Sequence, residues 1–299
     1  MRYKPMLAYP VSKKPVDYNE KVYMQPKLDG VRCLIQYEAK KYGTFRSSNS
    51  PADSYRGEVV AYSRTGKEWK NIEHILFNLK PFFQLNPDAV LDGELYNHDL
   101  RNDFEQIISC VRKTKPTTIG RLESSGLVQF HCYDVPSNPG RFDVRNEWIK
   151  SNVPGSTMGS HCIKHVETHE VHAEEYALDL HKIFLSKGYE GSILRLNTEY
   201  QCKRSHSLRK FKDFKDSEAV LTDWVEGKGK RIGTIGKFMA IDSEGNTFGM
   251  PVMDKFKYLQ DNFEEMKTWV GKEATFTYFE RTKANSYRHP LFKCIRNYE

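Results

Sequence analysis

The sequence predicts an α+β domain of antiparallel sheets and helices followed by a small all-β barrel. Three observations carry this expectation. Apolar residues recur at helical spacing in three windows of the first two-thirds of the chain, short Val/Ile/Tyr/Phe-rich runs lie between them, and five strand-like runs follow Asp216. At 299 residues the chain has room for two domains that each bury a core, and the change of character places their boundary near residue 217, dividing 1–217 from 218–299.

In the first domain, Ile72, Ile75, Leu76 and Leu79 predict a helix over roughly 70–80 that Pro81 should stop. Phe104, Ile107, Ile108 and Val111 repeat the spacing. Asn102 with Glu105 three residues later forms a capping-box pattern at the start of this second helix. Tyr176, Leu180, Ile183, Phe184 and Lys187 predict a third helix that ends at Gly188, a residue type that tolerates the left-handed conformation past a helix terminus. Leu127 to Val135 and Ser192 to Leu196 read as strands.

In the second domain, Glu218 to Val225, Gly236 to Asp242, Asn246 to Met250, Ala274 to Phe279 and Phe292 to Ile295 read as strands. A helical stretch around Asp254 to Trp269 precedes the fourth. Five strands with a helix between the third and fourth suit an OB-fold, a small barrel often used on oligonucleotides. Gly227-Lys228-Gly229-Lys230-Arg231-Ile232-Gly233 fits neither the Walker A nor the dinucleotide fingerprint. It reads as a basic hairpin for DNA backbone through Lys228, Lys230 and Arg231, or equally as a solvated turn.

A net charge of +7 favours a polyanionic partner. No apolar run is long enough to cross a bilayer, and Met1-Arg2-Tyr3-Lys4-Pro5 lacks the apolar core of a signal peptide, so a soluble, intracellular protein is expected. The six cysteines are scattered without a Cys-x-x-Cys pair, so neither a zinc ribbon nor a disulfide framework is indicated. His161, His165, His169 and His172 lie near Cys162, but the alternation from Cys162 to Val171 reads as strand and turn, so the imidazoles should not converge on a metal. Nothing in the chain marks a dimer surface, and a monomer is expected.

Lys27-Leu28-Asp29-Gly30-Val31-Arg32 carries the densest chemistry. An amine attacks phosphorus only without its proton, and nearby positive charge favours that neutral form. Gly30 lets backbone approach a ligand, and Arg32 offers a planar fork for phosphate. A charged β-turn accounts for the same six residues. Lys210 and Lys212, two apart, would present both ammonium groups on one face of a strand, either to an α-phosphate or simply to solvent. Glu94 and Glu190 each adjoin a glycine at an expected strand end, where a carboxylate can take a ribose hydroxyl, a hard cation or a surface salt bridge. Tyr133 follows the apolar run Val128 to Phe130 and suits either the core or a stacking role.

Together these fragments resemble the ordered motifs of ATP-dependent DNA ligases, especially the small two-domain viral and phage type, over nearly the whole chain. The resemblance implies an ATP-grasp-like nucleotidyltransferase domain followed by an OB-fold. It implies that Lys27 becomes linked to AMP and that Arg32 meets the 5′-phosphate of a nick. Ser63-Arg64-Thr65-Gly66 implies a further substrate contact through Arg64, and Asp92-Gly93-Glu94 a ribose contact through Glu94. Tyr133-Asp134-Val135 implies stacking of Tyr133 on adenine, and Glu190-Gly191-Ser192-Ile193-Leu194-Arg195 a role for Glu190 with the metal. Lys210-Phe211-Lys212 implies two cations on the α-phosphate. Gln25 joins the nucleotide-binding set, and Glu94 and Glu190 form the metal set. Arg288 to Arg296 resembles the last motif, a looser match, whose basic residues Arg288, Lys293 and Arg296 would orient pyrophosphate when the OB domain swings over the pocket. The long insertion that some small viral ligases carry in the OB domain is missing, so encirclement of DNA by such a latch is not assumed.

The implied reaction seals nicked double-stranded DNA with ATP and Mg²⁺, Mn²⁺ being an alternative metal. The implied compartment is the cytoplasm, of the host if the protein is viral. An mRNA capping guanylyltransferase and an RNA ligase share the lysyl-nucleotide chemistry. A catalytically silent nucleic-acid-binding protein is the non-enzyme alternative.

Overall fold

The computed structural model describes residues 3–39, 57–155, 160–211, 215–278, 280–282 and 285–296. The chain divides into two compact units, Met1–Phe211 and Lys212–Glu299. Among the described residues no helix is long and apolar enough to cross a membrane.

The first unit runs β1 (Leu7–Pro10), β2 (Val22–Lys27), β3 (Val31–Ala39), β4 (Gly57–Tyr62), α1 (Glu73–Leu85), β5 (Val90–Tyr96), α2 (Phe104–Val111), α3 (Thr118–Leu127) and β6 (Gln129–Asp134). It continues with α4 (Phe142–Asn152), β7 (Ile163–His165), β8 (His169–Val171), α5 (Glu174–Ser186), β9 (Gly191–Leu196) and β10 (Arg204–Phe211). The strands form two five-stranded sheets, ordered β1-β10-β9-β2-β8 and β4-β3-β5-β6-β7. Only the β1/β10 and β6/β7 pairs are parallel. Val22, Met24 and Leu194 of the first sheet bury against Ala177, Leu180 and Phe184 of α5. The second sheet buries Ile35, Leu91 and Phe130 with Leu79 and Phe83 of α1 and Ile107 of α2. β6 shows the half-buried alternation of period 2, with Phe130, Cys132 and Asp134 buried and Tyr133 on the opposite face.

The second unit contains β11 (Lys215–Glu226), β12 (Ile235–Ile241), β13 (Thr247–Pro251), α6 (Phe256–Asp261), α7 (Phe263–Lys267), β14 (Glu273–Tyr278), β15 (Glu280–Arg281), β16 (Tyr287–Arg288) and β17 (Leu291–Ile295). Its main sheet is antiparallel in the order β13-β12-β11-β14-β17, with the helices between its third and fourth strands as expected of an OB-fold. Phe238, Met250, Leu259, Met266 and Phe276 fill its core. Phe279, the last residue of the expected fourth strand, lies outside the described residues.

Several local expectations need correction. Pro81 lies inside α1 rather than ending it. Its missing N–H deprives the carbonyl of Phe77 of its usual partner, but Phe77 and Pro81 both lie on the exposed face, while buried Phe82 and Phe83 draw the helix onward to Leu85. The Asn102–Glu105 capping box is out of register: Asp103 is the N-cap of α2, without a side-chain capping bond. Helix α5 turns Ala177, Leu180, His181 and Phe184 inward, leaving Tyr176 and Ile183 about half exposed at 49% and 47%. Leu127 closes α3, a helix that precedes the β6 strand. By contrast, the stretch from Cys162 to Val171 does form strand, loop and strand: His165 and His169 belong to different sheets, His165 bonds the Val153 carbonyl at 2.9 Å and His169 faces Glu167 at 3.4 Å.

Phe83 is fully buried, with its ring edge-on to Phe82 at 4.9 Å between centroids. Phe83→Ala should therefore lower the stability of the first unit by about 3–5 kcal/mol in urea denaturation. A loss below about 1 kcal/mol would mean that this core collapses around the void.

Candidate active site

Hydrogen bonding along β2 and β9 brings Lys27 opposite Gly191, and the Glu190 amide donates to the Lys27 carbonyl at 3.1 Å. The Lys27 ammonium forms an ion pair with the Glu190 carboxylate. The following turn must be tight. A Cβ on Gly30 would come within 2.5 Å of the Leu95 carbonyl and 2.6 Å of Glu94 Cγ, so only glycine lets the Lys27 turn lie against the Glu94 segment.

Lys27 opens into a cleft of about 290 Å³ within the first unit. Gln25, Arg32, Arg64, Glu94, Tyr133 and Lys210 also line it. The first sheet supplies Gln25, Lys27 and Lys210, and the second supplies Arg32, Glu94 and Tyr133. Arg64 comes from the exposed turn after β4, closed by Ser63 N to Lys67 O at 2.7 Å. Glu190 stands behind the wall through its contact with Lys27. Lys212 lies outside the described residues.

The polar groups around the cleft are fixed before any ligand arrives. The Arg32 guanidinium grips Asp92, with Nε to Oδ1 at 2.6 Å, and donates from Nη2 to the Met6 carbonyl at 3.2 Å. Burial disfavours its charge, yet Asp92 outweighs that and holds Arg32 well above its ordinary value. Tyr200 donates to Asp92 at 2.7 Å and accepts from the Met6 amide. The Tyr133 hydroxyl donates to Glu94 at 3.1 Å, and the Arg32 and Arg195 guanidinium carbons lie 5.0 and 5.3 Å from the Tyr133 ring centre. Burial pushes the Glu94 carboxyl up to about 7, against the opposing pull of Arg32 and Lys27.

Beneath Tyr133, Asp134 accepts from Arg145 Nε at 2.6 Å and from Arg195 Nη1 at 2.6 Å. Although burial opposes ionisation, these two cations hold Asp134 below the usual carboxylate range. Arg195 also donates from Nε to Gln25 Oε1 at 2.6 Å, and Gln25 Nε2 donates to Thr168 at 2.8 Å, so the amide of this cleft residue has a fixed orientation.

Among the cleft residues to which sequence reasoning assigned no role are Ile193, Arg195 and Arg204. Ile193 and Arg195 stand inside the quoted Glu190 to Arg195 stretch, where strand alternation was the available signal. Arg204 reaches the cleft because β1 pairs with β10 across nearly the full length of the unit, which no local pattern reveals.

In the second unit Lys228 and Lys230 are exposed, whereas Arg231 donates to the Val252 and Asp254 carbonyls at 3.3 Å. Arg288 lies on β16, Lys293 pairs with Asp216 at 2.6 Å, and Arg296 pairs with Glu218.

Among the described residues no group of three or more His, Cys, Asp or Glu side chains is arranged to hold a metal. Glu94 and Glu190, both next to Lys27, nevertheless suit Mg²⁺, which takes one or two carboxylates and completes its shell with phosphate oxygens and water.

Residues 5–212 match the family model described as the ATP dependent DNA ligase domain. A DNA ligase of African swine fever virus, from a South African tick isolate, is 31% identical over 265 residues, covering 79% of this chain and 59% of the relative. The corresponding ligase of a Namibian warthog isolate is 30% identical with the same coverage. This chain thus spans less than two-thirds of these relatives. Among solved structures, a Lig E DNA ligase aligns with TM-score 0.72 at 21% identity, covering 99% of this chain and all of that one. The ATP-dependent DNA ligase of bacteriophage T7 in complex with ATP aligns with TM-score 0.57 at 17% identity, covering 99% of each. At these identities the structural likeness concerns the fold.

The raised Glu94 value has a definite sign in stability. The folded protein holds the Glu94 proton more tightly than the unfolded chain does, so this contribution is complete below about 4.5 and disappears as pH rises through about 7. Urea denaturation between pH 4.5 and 8 should reveal a decline in the native protein that Glu94→Gln removes. Parallel pH profiles for the two proteins would show that Glu94 ionises normally.

Proposed function

Since the chain belongs to the ATP-dependent DNA ligase family, we propose that it seals nicks in duplex DNA through a lysyl-AMP intermediate. The carrying observation is the Lys27 ammonium paired with Glu190 beside a cleft lined by Arg32, Glu94, Tyr133 and Lys210.

In this reading Tyr133 stacks on adenine, Gln25 meets the base edge, and Glu94 takes the ribose hydroxyls. Mg²⁺, or Mn²⁺ in its place, would be held through Glu94 and Glu190 and would neutralise charge on the phosphates. Lys27, once its proton has left, attacks the α-phosphorus of ATP; a P–N bond forms and the P–O bond to pyrophosphate breaks. Lys210 and Lys212 counter the negative charge on the α-phosphoryl oxygens. Arg288, Lys293 and Arg296 orient the departing pyrophosphate. The 5′-phosphate at the nick, gripped by Arg32 and Arg64, then displaces Lys27 from AMP, and the 3′-hydroxyl displaces AMP to join the strands.

Lys228, Lys230 and Arg231 contact DNA backbone, which gives binding little base preference. The protein acts as a monomer inside the cell. A guanylyltransferase, an RNA ligase and a silent binder predict different outcomes in one assay.

Incubation with ATP labelled at the α-phosphate and Mg²⁺, followed by denaturing electrophoresis, should leave label on the chain. Lys27→Ala should reduce that label at least about a hundredfold, and labelled GTP should give none. Label from GTP alone would point to capping, and label from neither to a silent binder. Sealing of nicked RNA but not nicked DNA would identify an RNA ligase. DNA affinity should fall by orders of magnitude between about 50 and 200 mM salt if six or more phosphates are contacted; a salt-insensitive complex would argue against backbone binding.

A further inference from the structure

Glu94 and Glu190 come from separate sheets, and neither β5 nor β9 fixes their separation by itself. A short segment outside the cleft joins the two arms. His98, in the one-turn 3₁₀ helix His98–Leu100 after β5, accepts or donates at Nδ1 with the Tyr96 hydroxyl at 2.8 Å. Tyr96 is two residues beyond Glu94 on the same strand. The other side of the His98 ring reaches the chain that delivers Glu190: its centre lies 4.4 Å from that of the Tyr189 ring, tilted by 34°.

Arg101 supplies a second, independent contact between the same segments. Its guanidinium returns to the His98 carbonyl at 3.2 Å, and its side chain covers Gly188. A Cβ at Gly188 would fall 2.7 Å from both Arg101 Cδ and Nε, and the Gly188 φ of +86° is one that favours glycine. Glycine is therefore required there for both conformation and room.

We propose that His98 and Arg101 form a clasp that fixes the Glu94 and Glu190 arms on either side of Lys27, and so act as positioning residues for the metal–nucleotide complex. The proposal rests on the ligase reading of the cleft. A neutral imidazole makes the bond to the Tyr96 hydroxyl as donor or acceptor according to its tautomer, so either tautomer ties the ring to β5. Burial, and next the charge of Arg101, push His98 below its ordinary value and keep this neutral form. A carboxylate pair that must share one Mg²⁺ with phosphate oxygens is sensitive to displacements of a few tenths of an ångström, because Mg²⁺ accepts little departure from octahedral geometry. Partners one layer behind metal ligands commonly influence metal affinity about ten- to a hundredfold.

The test measures lysyl-AMP formation against Mg²⁺ and ATP concentration for the full chain, alongside thermal denaturation. His98→Ala should raise the Mg²⁺ concentration for half-maximal adenylation about tenfold with a smaller change in the rate at saturation. Tyr96→Phe, which removes one hydroxyl and keeps the ring, and Arg101→Ala, at an exposed side chain, should shift it in the same direction by about threefold. If His98→Ala fails to fold, those two milder variants decide the matter. Unchanged Mg²⁺ dependence in folded variants overturns the clasp, as does a loss confined to the fraction of folded protein. If the native chain itself takes no label, the ligase reading fails and the clasp with it. A labelled native chain with indifferent variants defeats the clasp alone.

Discussion

The cleft depends on one buried carboxylate. Asp134 ends β6 in one sheet, yet its oxygens are taken by Arg195 from β9 in the other sheet and by Arg145 from α4. All three side chains are at most 5% exposed. Two cations around one acid leave excess positive charge, which Arg145 disperses onto the Gly140 and Thr198 carbonyls and Arg195 onto Gln25. Such an arrangement is not a strong source of net stability, because desolvation offsets most of the Coulombic gain. Its value is geometric. An apolar substitute of similar volume could hold the sheets together, but it could not orient Gln25 through Arg195 or keep the Arg195 guanidinium at a fixed distance from the Tyr133 ring.

The same logic extends outward in layers. Asp92 holds Arg32, Tyr200 holds Asp92, and the Met6 amide and carbonyl close the loop. The cations facing the cleft are thus oriented by carboxylates behind them, which limits the reorganisation needed when an anionic ligand enters. Glu94 is the exception: it faces the cleft with Tyr133 as its hydrogen-bond donor and is left near its ionisation point.

Much of this was legible in the sequence because the informative signals were local. The turn from Lys27 to Arg32, the glycines beside Glu94 and Glu190, and the five strands of the second unit's main sheet all follow from short-range patterning. Two helices escaped for the opposite reason. Helix α3 buries Gly120 and Ser124 while Ile119 and Leu122 are 80% and 74% exposed, inverting the apolar face that periodicity would seek. Helix α4 buries Arg145 and Asn146, which serve Asp134 and Thr168, between buried Phe142 and Ile149, so its inner face is interrupted by polar residues. In both, tertiary hydrogen bonding overrode the pattern. The role of Arg195 was hidden likewise: its partners Gln25 and Asp134 lie 170 and 61 residues away.

The ion pair between Lys27 and Glu190 has a consequence for selectivity among reagents. In the resting cleft the amine is engaged as an ammonium, with no lone pair to offer an aldehyde, an acyl donor or any other stray electrophile. In the proposed ligase reaction the amine would be released when something with a stronger claim on the Glu190 carboxylate draws that partner away. A divalent cation arriving with its polyphosphate is such a competitor, whereas small carbonyl compounds are not. The proposed nucleophile would thereby stay masked until a metal-bound polyphosphate is in place.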